Sequence, residues 1–89
     1  MITEILEERG KRYGKFVDVA KATTEIQLVV YTNMGEKVDF LTPDQMIALD
    51  MICHKIARIA IGDADYVDNW VDIAGYAQLV ADRLQGIER

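Results

Sequence analysis

Basic residues cluster in one short segment that contains two glycines. The segment holds four of the ten basic residues within seven positions, together with one tyrosine: Arg9, Lys11, Arg12, Tyr13 and Lys15. The glycines allow a ligand to approach the backbone, and the tyrosine ring offers a stacking surface for a base. The segment also leads into a predicted helix, whose N-terminus favours anions. This pattern predicts a site for a phosphorylated ligand, and a solvated turn that offsets the acidic residues is the alternative.

A polar stripe interrupts the most apolar part of the chain. Asp50, His54 and Arg58 recur every four residues, which places them on one face of a helix. His54 and Arg58 are candidates for contacts to a phosphate or a base edge, provided that the fold brings them beside the basic segment. A lone histidine on a core helix is also often a hydrogen-bonded structural residue, and this alternative stays open.

Helical periodicity and capping residues predict four helices, over about 3–9, 16–33, 42–61 and 68–85. The third has the clearest start, because Thr42, Pro43 and Gln45 supply an N-cap, a first-position proline and a capping box. Gly10 and Gly62 are the expected stops of the first and third helices. Residues 26–32 are rich in β-branched side chains, so a strand is the alternative there.

The pattern of apolar residues predicts how these helices pack. The third helix is apolar nearly all round, which indicates a central element with Ile56 in its core. Trp70 begins the apolar stripe of the fourth helix and is expected to face inward. We therefore predict an all-α fold, a compact three- to four-helix bundle with an antiparallel C-terminal helical hairpin.

The composition indicates one acidic globular domain. The chain has 89 residues, of which 51% are hydrophobic, and its formal net charge is −5. We expect residues 1–89 to form a single domain, and so many apolar side chains in a short chain predict a homo-oligomer. The negative charge disfavours duplex nucleic acid as a partner, because its phosphate backbone would be repelled.

The sequence also predicts where the protein resides. Acidic residues interrupt the N-terminus, and the longest uncharged run, 26–35, is too short to cross a bilayer. The one cysteine, Cys53, fits a reducing compartment. We expect a cytoplasmic protein without membrane contact.

Several segments resemble a known family. The stretch "HKIARIAIGDADYVDNWVDIAGYAQLVADRL" resembles a small domain of unknown function common in tailed-phage genomes, and "LEERGKRYGKF" and "LTPDQMIALDMICHKIARI" match the same pattern. The arrangement is more distantly similar to phage all-α nucleotide pyrophosphohydrolases of the dATP/dGTP and MazG-like kinds. The resemblance implies a protein of the host cell cytoplasm and favours nucleotide chemistry.

The MazG-like resemblance directs attention to acidic residues, because those enzymes hold magnesium with paired carboxylates. Glu4 and Glu7 have the ExxE spacing of such a pair. Asp65, Asp68 and Asp72, at i, i+3 and i+7, are candidate metal ligands on one face of the fourth helix. The alternative is a solvated acidic face, in which Asp68 caps the helix and is favoured by its dipole.

Two functions remain open from the sequence. The first, which we favour, is a small phage-type binding protein that sequesters a nucleotide-type ligand or engages a host defence or replication protein, with no cofactor. The second is a magnesium-dependent dNTP pyrophosphohydrolase of the all-α MazG-like kind.

Overall fold

A computed structural model describes residues 1–89 as an all-α protein, as predicted. The elements are α1 (Ile2–Tyr13), α2 (Phe16–Met34), a 3₁₀-helix (Gly35–Phe40), α3 (Pro43–Ile61) and α4 (Val67–Leu84). Residues 26–32 lie inside α2, so helical packing overrides their local preference for a strand. None of these helices combines the length and the apolar character that a membrane span requires.

The start of α3 is also the point where the C-terminal hairpin closes. The Thr42 N–H donates to Gln45 Oε1 at 3.1 Å, which is part of the predicted capping box. Arg83, in the last turn of α4, donates to both carboxylate oxygens of Asp44 at 2.8 and 3.0 Å. Hydrogen bonds from Arg83 and Thr42 hold the pKa of Asp44 at about 2. The end of α4 is thereby tied to the beginning of α3, which makes the hairpin antiparallel.

The central element is α3, as the sequence predicts. Four of the seven buried residues belong to it, namely Ala48, Cys53, Lys55 and Ala57. Helices α2 and α4 pack on two sides of α3, and no Cα atom of α2 comes within 8 Å of one in α4. Helix α1 also contacts α3, and a face of α3 between α2 and α4 stays open as a groove.

Two side chains predicted to face the core lie on the surface instead. Ile56 is 42% exposed and Trp70 is 54% exposed. Ile56 follows Ile52 by four residues, on the face of α3 between α2 and α4. Trp70 Nε1–H donates to the Ala64 carbonyl at 2.9 Å, which holds the indole over the loop between α3 and α4. Apolar character therefore identified a helix face, but not whether another helix covers it.

The first helix ends later than predicted. It passes through Gly10 and ends at Tyr13, and the chain turns at Gly14 with φ of 88°. A glycine inside a helix costs only about 1 kcal/mol, so it does not end a helix by itself. The left-handed conformation at Gly14 ends this one, because residues with a Cβ atom rarely adopt it.

The end of α1 contacts the end of α3 backbone to backbone. A Cβ atom on Gly62 would overlap the backbone of Tyr13 and lie 2.5 Å from the Arg12 carbonyl oxygen. A Cβ atom on Gly14 would lie 2.5 Å from Ile61 Cγ2. The Asp63 N–H donates to the Arg12 carbonyl at 2.9 Å, which closes the contact. The two glycines therefore set the position of the basic segment against α3.

Gly62→Ala is expected to lower the free energy of unfolding by about 1–3 kcal/mol, because the backbones must move apart to admit a methyl group. The φ of Gly62 is −99°, which is not a left-handed conformation. The expected loss of stability therefore reports the close backbone approach. Gly75, inside α4, faces open space. Gly75→Ala is the matched control and should gain up to about 1 kcal/mol. Denaturant titration that gives Gly62→Ala the stability of the wild-type protein would contradict this contact.

Candidate functional site

A cleft of about 570 Å³ lies between the end of α1, the start of α2 and the C-terminal half of α3. Its lining consists of Leu6, Arg9, Gly10, Tyr13, Gly14, Lys15, Phe16, Val19, His54 and Arg58. Five of the seven predicted ligand-binding residues are therefore together: Arg9, Tyr13, Lys15, His54 and Arg58. The contact at the two glycines satisfies the condition set by the sequence, because it brings α3 beside the basic segment.

The Tyr13 ring is packed against two guanidinium groups. Arg58 Cζ lies 4.0 Å from the ring centroid and Arg9 Cζ lies 5.8 Å from it. The ring also meets Tyr66 edge-on, with 5.6 Å between the centroids. Cation–π contacts of this kind hold Arg58 in place. Tyr13, predicted to stack on a base, thus has a face occupied by Arg58 and acts to position that arginine.

Phe16 offers the stacking surface that Tyr13 does not. It lines the cleft and is 82% exposed, which is unusual for a large apolar ring. The sequence pattern did not single out Phe16 as a candidate binding residue. The only local signal was its place directly after Lys15, at the first turn of the helix.

His54 extends the cleft on the α3 side. Burial lowers its pKa, and the nearby charges of Arg58 and Lys55 lower it further. A depressed pKa favours the neutral imidazole at neutral pH, which can both donate and accept a hydrogen bond. An arriving anion would oppose this shift and favour the protonated form.

No carboxylate lines the cleft, although the chain is acidic overall. Asp50, one turn before His54, turns instead to α2, where the Tyr31 hydroxyl and Gln27 Nε2 donate to it. Burial and the hydrogen bond to Asp50 raise the pKa of Tyr31 to about 12. With Asp50 held by α2, the ionisable side chains of the cleft are cationic, aromatic or imidazole.

The N-terminus of α2 adds backbone donors to the same cleft. Lys15 is its N-cap residue, and no side chain caps the helix there. The Lys15 carbonyl accepts hydrogen bonds from the N–H groups of Asp18 and Val19. The N–H groups of Phe16 and Val17 precede them and have no intrahelical acceptor, as in any helix start. Such groups, at the positive end of the helix dipole, favour an anion.

Two predicted ligand-binding residues lie elsewhere. Arg12 forms an ion pair with Glu8, donates to the Tyr66 hydroxyl at 3.1 Å and covers the Tyr66 ring at 5.0 Å. It therefore links α1 to the α3–α4 loop outside the cleft. Lys11 is exposed and is not part of the lining either. Successive side chains of a helix point in directions about 100° apart around its axis. Basic residues that are close in sequence therefore lie on two different sides of α1.

The three candidate metal ligands do not converge. Asp68 accepts a hydrogen bond from the Tyr66 hydroxyl at 2.8 Å, and Asp72 Oδ2 lies 3.2 Å from Lys55 Nζ. The structure contains no group of three or more His, Cys, Asp or Glu side chains that could hold a metal ion, and Asp65 joins no such group. Shared helix spacing did not bring these carboxylates together, because two of them serve hydrogen bonds in the fold.

Polar groups in the α3–α4 interface were also missed from sequence. Lys55 is only 7% exposed and Asn69 only 1% exposed. Neither Oδ1 nor Nδ2 of Asn69 has a hydrogen-bond partner. Leaving a buried amide unpaired costs about 1–3 kcal/mol. Asn69 therefore lowers the stability of the fold. Lys55 interrupts the apolar pattern of α3, and that pattern does not predict whether such a lysine is buried.

Asp72→Asn is expected to lower the free energy of unfolding by about 1–2 kcal/mol, because it leaves the buried Lys55 ammonium without its counter-charge. Half-exposure of Asp72 keeps the loss below that of a fully buried pair. Asp65→Asn is the control and should change stability by less than about 0.5 kcal/mol. A magnesium-dependent rise in melting temperature, abolished by both substitutions, would instead demonstrate a shared metal site.

Comparison with known protein families gives one match, to a domain of unknown function. A family model described as Domain of unknown function (DUF6378) matches residues 2–84. No curated protein matches the chain, and no solved structure does. The expected resemblance to a domain of unknown function over nearly the whole chain is thus confirmed, while its phage origin and its similarity to MazG-like enzymes stay predictions. The chain is a member of the DUF6378 family.

Proposed function

We propose that this protein binds a small phosphorylated ligand of the nucleotide type in the cleft between α1, α2 and α3. One observation carries the proposal: an acidic chain builds a cleft with three cationic side chains and no carboxylate. The net charge of −5 repels anions elsewhere on the surface. An anionic ligand is therefore directed to this cleft.

The residues at the start of α2 and on α3 suit the phosphate groups of the ligand. The start of α2 offers backbone N–H groups, and Lys15 stands beside them. Arg58, held by the Tyr13 ring, supplies a fixed guanidinium that suits phosphate oxygens. Arg9 adds a third positive charge from α1. This combination of a helix N-terminus with arginine and lysine resembles phosphate sites in general.

The remainder of the cleft suits a base. Its volume of about 570 Å³ lies within the usual range for small-ligand sites. The exposed Phe16 ring provides a stacking surface at one edge. His54 is placed to hydrogen-bond a base edge or a phosphate. A ligand with both an anionic and a flat apolar part uses these features together.

The other expectations from sequence have less support. A magnesium-dependent pyrophosphohydrolase remains consistent with the MazG-like resemblance, but no observed cluster of carboxylates favours it. Engagement of a host defence or replication protein, in the cytoplasm of a phage-infected cell, stays a prediction. Binding without chemical change needs neither a metal nor a nucleophile, so it is the function that the cleft supports best.

Arg58→Ala is expected to weaken binding of nucleoside triphosphates or cyclic dinucleotides about ten-fold or more, measured by calorimetry without added metal. A charge-assisted hydrogen bond contributes roughly 1.5–3 kcal/mol, and ten-fold in affinity corresponds to about 1.4 kcal/mol. Lys15→Ala should have a similar effect, and Lys15 is exposed, so its removal leaves packing intact.

The matched control is Arg12→Ala, three residues from Lys15. Sequence reasoning expected Arg12 to contact the phosphates, but its guanidinium serves Glu8 and Tyr66. Its removal should leave affinity within about two-fold, well under the 1.4 kcal/mol of a ten-fold change. Equal losses in Arg12→Ala and Lys15→Ala would indicate a non-specific charge effect. No binding of any nucleotide by the wild-type protein would overturn the proposal and favour a protein partner.

A further inference from the structure

A second surface, on the opposite side of α3, is apolar rather than cationic. A groove of about 360 Å³ runs over α3 between α2 and α4, and seven of its eight lining residues are hydrophobic. They include Met34 from α2, Leu49 and Ile52 from α3, and Ala77 and Val80 from α4. None of the lining residues is charged. We call this surface the open face of α3.

The open face continues along the helices beyond the groove. Ile56 follows Ile52 by four residues on α3 and is 42% exposed. Trp70 precedes Ala77 by seven residues on α4 and is 54% exposed. Exposed apolar side chains of α3 and α4 therefore extend the apolar lining of the groove.

The chain exposes more surface than a globular monomer of its size. Its accessible surface is 6542 Å² for 10.1 kDa, whereas folded monomers of that mass expose roughly 5,300 Å². The excess of roughly 1,200 Å² is larger than the roughly 800 Å² that each partner contributes to a standard protein interface. This excess belongs to the chain as a whole, and it is large enough to include one side of a stable dimer interface.

The net charge of the chain and the uncharged lining of the groove indicate which kind of partner covers the open face. Two copies of a chain with net charge −5 would bury like charges in their contact unless they meet through an uncharged surface. The open face lacks charged residues in its groove, so identical chains can approach there without burying like charges. A basic partner protein would instead be expected to meet acidic residues. These properties favour self-association.

We propose that the open face of α3 is the interface between two copies of this chain, related by a twofold axis. Each copy covers the groove of the other with its own exposed apolar side chains, including Ile56 and Trp70. An isologous contact of this kind uses the same surface on both chains. The homo-oligomer expected from composition is thereby given a surface and a subunit number of two.

The interface leaves the ligand cleft free. Ile56 follows His54 by two positions, which turns it about 200° around α3. The dimer and the ligand site therefore occupy opposite sides of the same helix. Dimerisation stands independently of the proposed nucleotide binding, and failure of one leaves the other intact.

Analytical ultracentrifugation over about 1–100 µM tests the proposal. The wild-type protein is expected to sediment as a species of twice 10.1 kDa. Ile56→Glu should give a monomer, because two carboxylates would be buried in the apolar contact. Ile47→Glu is the matched control: Ile47 is 59% exposed on the same helix but lies about half a turn away from Ile56. It should remain a dimer.

Helical circular dichroism establishes that each variant is folded. If Ile56→Glu loses its helical signal, Ala77→Glu on α4 replaces it, since Ala77 lines the groove from an exposed position. A wild-type monomer at 100 µM would overturn the proposal and leave the face to a different partner. A folded Ile56→Glu or Ala77→Glu variant that stays dimeric, or an Ile47→Glu variant that dissociates instead, would also overturn it.

Discussion

The close backbone approach between the end of α1 and the end of α3 determines what the rest of the molecule can do. Gly14 turns the chain with a positive φ, and Gly62 lets the backbone of Tyr13 come against α3. Without this contact, the basic segment would lie at the end of a helix in solvent. With it, Tyr13 reaches Arg58 and the start of α2 faces His54. The backbone contact at Gly14 and Gly62 thus brings together the side chains that line the cleft.

The positive character of the cleft depends on where the acids are held. Asp50 is bound by Tyr31 and Gln27 of α2, and Asp72 is bound by the buried Lys55. Each of these carboxylates has a partner within the fold, so none of them neutralises the cleft. The groove on the open face of α3, by contrast, is lined by no charged residue of either sign. The proposed anion site and the proposed dimer interface therefore lie on separate sides of one central helix.

Local signals in the sequence predicted the helices well. Thr42, Pro43 and Gln45 marked the start of α3, and Gly62 marked its end, because caps act within one turn. Predictions that depended on tertiary neighbours were less successful. Ile56 and Trp70 lie on helix faces whose covering is decided by the arrangement of three helices, which periodicity does not contain. Arg12 shared a basic cluster with Lys15, yet helical rotation directed it to Tyr66.

The central claim is that the glycine-fixed turn and α3 form a single anion site. Heteronuclear NMR with increasing amounts of a nucleoside triphosphate tests it most directly, because each amide and imidazole reports separately. The account predicts that the Phe16 and Val17 amides and the His54 ring shift together, with one dissociation constant, while the Asp68 amide stays unchanged. Saturable shifts confined to the α3–α4 loop, or none at Phe16 and His54, would contradict it.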